Sequence, residues 1–62
     1  MDFKERLINE QLELNEKLEK LNSFNESEKA NAIDPVQKEL LIIQAGIMYS
    51  YNECLKARLA RL

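Results

Sequence analysis

Arg6, Lys20, Arg58 and Arg61 are cations able to hold the oxygens of a small anionic ligand, and Tyr49, Tyr51 and Gln44 can meet its flat or polar parts. A guanidinium offers paired N–H donors to a phosphate-like group, and a tyrosine offers a stacking face with a polar edge. Bond-breaking chemistry is poorly provided for. The chain has no His and a single Cys, which excludes a Cys/His zinc site and a His-based catalytic triad. Carboxylates are plentiful but alternate with lysines at i,i+4 spacing, as in Glu13–Lys17 and Glu16–Lys20, the pattern of a solvated helix face rather than an acid–base pair. The expectation is therefore a binding protein, not an enzyme, with no cofactor and no metal. Eleven acidic against nine basic residues give a net charge of −2, which is no footprint for duplex nucleic acid.

These side chains must be carried by very little structure. Sixty-two residues make one domain near the lower limit for a core without disulfides or metal. One Gly, one Pro and many Leu, Glu and Lys point to an all-α chain. Asp2 with Glu5 three residues on forms a capping box, so a helix is predicted over about 3–23. A bend follows over about 24–34, anchored by Phe24 and Ile33, with an extra helical turn near Ser27 to Asn31. Asp34-Pro35-Val36-Gln37 reads as an N-cap with Pro in the first turn, opening a second helix over about 35–61. The N-terminus is charged and has no apolar signal core, and no stretch is long and apolar enough for a membrane span.

The first helix presents Phe3, Leu7, Leu14, Leu18 and Leu21 on one narrow side, with Gln11 among them. The second is apolar almost all round between Leu40 and Tyr51. Its inner seam is predicted as Val36, Leu40, Ile43, Ile47, Tyr51 and Cys54. This places Leu21 by Leu40, Leu14 by Ile47 and Leu7 by Cys54 in an antiparallel two-helix hairpin, with Gln11 beside Tyr51 and Ser50. Cys54 is then a small buried hydrophobe. A second heptad stripe, Leu41, Met48, Leu55 and Leu62 with Ala45 and Leu59, is left over, together with Ile42 and Tyr49. Met1, Ile8 and Leu12 form a strip on the first helix. So much uncovered apolar surface implies a homo-oligomer. Its predicted interface is Ile8, Leu12, Leu41, Ile42, Ala45, Gly46, Met48, Tyr49, Leu55 and Leu59. Gly46, which costs about 1 kcal/mol mid-helix relative to Ala, suits close approach of another helix or a ligand.

Glu5-Arg6-Leu7, Lys17-Leu18-Glu19-Lys20-Leu21, Phe24, Leu40-Leu41, Gln44, Met48, Tyr51, Leu55 and Arg58 together resemble a family of very small phage proteins named after a crAss-like phage protein. In shape and size the chain is also similar to the helical-hairpin anti-defence proteins that phages use as sponges. That likeness implies an oligomer in the cytoplasm of an infected bacterium. It would hold a nucleotide immune messenger, a cyclic oligonucleotide or cyclic ADP-ribose type, without cleaving it. Lys20, Arg58 and Arg61 would then take phosphate, Tyr49 and Tyr51 would stack on bases, and Arg6 and Gln44 would add polar contacts. The competing expectation is a small helical oligomer whose apolar faces bind a host or phage protein, with no small ligand.

Overall fold

The computed structural model describes residues 2–62, so Met1 and its part in the strip with Ile8 and Leu12 lie outside the described residues. Helix α1 spans Phe3–Glu26, a 3-10 turn spans Glu28–Ala32 and helix α2 spans Pro35–Ala60. The two helices lie antiparallel in a rod of 43 × 16 × 14 Å. Both predicted caps form. Asp2 Oδ1 accepts from the Glu5 N–H at 2.8 Å, and Asp34 Oδ2 accepts from the Gln37 N–H at 3.1 Å. α1 runs three residues beyond its predicted end, because nothing in Phe24-Asn25-Glu26 breaks it. Ser27 closes it instead, its hydroxyl and its N–H both donating to the Phe24 carbonyl. Under the bend Ala30 is 1% exposed, and Phe24 and Ile33 are half-buried beside it as the anchors. Among the described residues no helix is long and apolar enough to cross a membrane.

The core differs from the expected one in a simple way. Leu7, Leu14 and Leu18 of α1 are buried as predicted, but Leu7 and Leu14 cluster with Leu55 (0% exposed), with Met48 and Leu59 packed against them, and Asn52 (2%) is the other buried residue of α2. Leu41 and Ala45 continue the same side, half-buried. The expected inner residues Val36, Leu40, Ile43, Ile47, Tyr51 and Cys54 are all exposed. Axial alignment is nearly as predicted, since Tyr51 reaches Glu10 and Arg58 lies over Phe3. What changes is rotation: Leu41, Met48, Asn52 and Leu55 face inward in place of Leu40, Ile47, Tyr51 and Cys54, one residue later in each case, which turns the helix by about 100°.

The cause lies in α1. Gln11 and Asn15 are half-buried in its seam, and half-buried amides need partners. Asn52 serves both. Gln11 Nε2 donates to Asn52 Oδ1 at 3.1 Å, and Asn52 Nδ2 donates to Asn15 Oδ1 at 3.1 Å. Asn15 Nδ2 donates onward to Glu19 Oε1. The face carrying Tyr51 and Cys54 offers only hydroxyls at that height, whereas the rotation that buries Asn52 lets one amide answer Gln11 and Asn15 together. Gln11 therefore pairs with Asn52, not with Tyr51 or Ser50. Leu55, Met48, Leu59, Leu41 and Ala45, expected at an oligomer interface, form the hairpin's own seam, and Cys54 is an exposed thiol.

Candidate functional site

Two open grooves flank the seam, one on each side of the hairpin. The first, of about 310 Å³, lies at the end of the rod away from the bend. Phe3, Arg6, Leu7 and Glu10 line it from α1 and Arg58 from α2. Residues 3, 6 and 10 stand at i, i+3 and i+7, which puts them on one stripe of α1. The Arg58 guanidinium carbon sits 5.9 Å from the centre of the Phe3 ring, within cation–π range. Tyr51, on the same side of α2, donates its hydroxyl to a Glu10 carboxylate oxygen. Among the described residues the ion pairs are Glu16–Lys20 and Glu53–Lys56, so neither Arg6 nor Arg58 is held by a carboxylate. Two guanidinium groups against one carboxylate leave the groove one net positive charge.

The second groove, of about 400 Å³, is lined by Asn22, Asn25 and Glu26 of α1 and by Ile42, Ala45, Gly46 and Tyr49 of α2. It contains no cation. Asn25 Nδ2 ties the helices together here by donating to the Leu41 carbonyl at 3.2 Å, while its buried Oδ1 has no partner. A Cβ added at Gly46 would meet nothing within 4 Å. Gly46→Ala should therefore raise the stability of the hairpin by about 0.5–1 kcal/mol, read from thermal melting followed by circular dichroism. A loss of stability would show that the wild-type helix is already packed against something at this point.

The structure brings together some of the candidate side chains and separates the rest. Arg6, Arg58 and Tyr51 converge on the first groove. Tyr49 lies in the second, with Gly46 and Ile42. Lys20 is bound to Glu16 at 3.0 Å on an exposed face of α1, about 14 residues and so roughly 21 Å along the helix from Arg6. Gln44 donates to the Met48 sulfur at 3.8 Å, and Arg61 follows the last turn of α2. Ile8 and Leu12 are solvent-facing. Phe3 and Glu10 were not among the candidates, although their spacing from Arg6 was available as a signal. Phe3 is read from the sequence as a seam residue, but it is 56% exposed and serves as a platform for Arg58.

A family model described as Sequestin matches residues 1–61. The chain belongs to the Sequestin family. That membership spans both helices and the bend, and it agrees with the resemblance to a family of very small helical proteins. No curated protein and no solved structure gives a significant match. In this Sequestin chain the two grooves differ in kind: one is cationic with an aromatic floor, the other apolar with an amide rim.

Proposed function

We propose that this protein is a phage-type anti-defence sponge: an oligomer that sequesters a nucleotide immune messenger and does not cleave it. The observation that carries the reading is the Arg6–Arg58 groove. Its two guanidinium groups lack carboxylate partners, and Phe3 supplies an aromatic face beside them. A cyclic oligonucleotide or cyclic ADP-ribose-type signal needs that combination, cations for phosphate and a flat surface for a base. The family's name adds support, since it denotes sequestration. In this reading Arg6 and Arg58 take phosphate, Phe3 or Tyr51 meets a ring, and the protein acts in the cytoplasm of the infected cell. With no His and no activated nucleophile, release of the intact ligand is the expected end of the cycle.

Melting temperature in the presence of cyclic di- and trinucleotides and cyclic ADP-ribose tests the proposal. A ligand at 100 times its Kd adds about 2.7 kcal/mol. In a domain of this size each kcal/mol raises Tm by about 4–8 °C. One class of ligand should produce such a rise, Arg58→Ala and Arg6→Ala should abolish it, and chromatography should recover the ligand unchanged. If none of the panel raises Tm, the exposed apolar faces favour the other reading, an oligomer that binds a host or phage protein.

A further inference from the structure

α1 leaves one complete helix seam uncovered. Val36, Leu40, Ile43, Ile47, Tyr51 and Cys54 follow each other at spacings of three and four residues along α2, the repeat by which one helix packs into another. Val36, Ile43 and Ile47 are each about 60% exposed, and Leu40 and Tyr51 about half. No charged side chain interrupts α2 between Glu39 and Glu53.

We propose that this stripe is the docking surface for a second copy of the same chain, α2 against α2, antiparallel about a two-fold axis near Ile47. The proposal deepens the oligomer of the preceding reading by fixing its interface and direction. The apolar area suffices. About half of six such side chains comes to roughly 600 Å² a copy, or about 1,200 Å² in all, the lower bound for a specific interface. Charge chooses the direction. The start of α2 carries Asp34, Lys38 and Glu39, a net charge of −1, and its end carries Glu53, Lys56, Arg58 and Arg61, a net charge of +2, so antiparallel pairing sets each net acidic end against a net basic one. Parallel pairing would bring like charges together at both ends, and the helix dipoles with them. The seam is also continuous with the cationic groove, because Tyr51 belongs to one and reaches Glu10 of the other. A second copy lying along the stripe therefore flanks Arg58 and closes a side of the groove that is open in a single chain.

Light scattering on the ligand-free protein reads the interface without reference to any messenger. Wild type should have the mass of a dimer or a multiple of it. Ile47→Glu and Ile47→Ser should lower that mass to a monomer's while keeping the helical circular dichroism, since Ile47 is 65% exposed in the hairpin. Leu12→Glu, on the other exposed strip, should not lower it. Direction is read by disulfide trapping. Under mild oxidation Ile47→Cys in a Cys54→Ser background should cross-link across the axis. Wild-type Cys54 should not, being about 20 Å from its counterpart at 1.5 Å per residue. A monomeric wild type, or an oligomer indifferent to both Ile47 variants, overturns the proposal; efficient Cys54 cross-linking overturns the antiparallel arrangement. A dimer that binds no nucleotide would leave the interface standing and sink the sponge reading alone.

Discussion

Replacing Leu55 by Ala is expected to unfold this hairpin or bring it to the edge of unfolding, whereas Cys54→Ala, one residue away, should change its stability by less than about 0.5 kcal/mol. Leu55 is the most completely buried large side chain, in contact with Leu7 and Leu14 across the seam. A buried Leu→Ala change costs about 2–5 kcal/mol, because the cavity left behind adds to the lost transfer energy. A chain of this size has about 3–5 kcal/mol to lose from its core. The exposed thiol of Cys54 has no comparable surroundings. Thermal and urea melts of the two variants, followed by circular dichroism, decide which stripe of α2 faces α1. If Cys54→Ala proves the costly change and Leu55→Ala the mild one, α2 is turned by one residue and the core described above is wrong.

Asn52→Leu is expected to destabilise the protein by about 2 kcal/mol or more, although it places a more apolar side chain in the middle of the seam. Leucine has the branched outline of asparagine but is bulkier, and it cannot answer the Gln11 amide or the Asn15 carbonyl oxygen, both half-buried. A buried polar group that loses its partner costs about 1–3 kcal/mol. Adding Gln11→Leu should recover much of the loss, since two leucines then meet where two amides did. A double-mutant cycle should show coupling of about 0.5–3 kcal/mol. Strictly additive single effects would mean that the amide chain does not hold the seam together.

The three amide-bearing seam positions, Gln11, Asn15 and Asn52, explain what could be read from the sequence and what could not. Helix positions followed from caps, Asp2 and Asp34, whose short-range hydrogen bonds depend on residues three apart and nothing else. Antiparallel pairing and axial alignment followed from the leucine repeat of α1. Rotation of α2 was not legible from hydrophobicity, because α2 carries two apolar stripes of similar strength, and the one that turns inward contains Asn52. Only the need to satisfy Gln11 and Asn15 distinguishes them, and that need becomes visible once both helices are counted together. The site was partly legible for a related reason. Arg58 and Arg6 are legible as cations, but their meeting at one groove depends on that rotation, and Phe3 has the spacing of a core residue while being the surface on which Arg58 rests. Lys20, by contrast, has the right charge and a neighbour four residues away that already neutralises it.

The single bend gives the hairpin a direction in time as well as in space. Asn25 and Leu41 are 16 residues apart, while Gln11 and Asn52 are 41 apart. Loop closure is cheapest for the near pair, so the helices zip from the bend outward, and each contact made shortens the loop left for the next. Fraying runs in reverse, starting where Arg58 lies over Phe3. A ligand gripped by Arg6 and Arg58 would thus act as a clasp on the end that opens first.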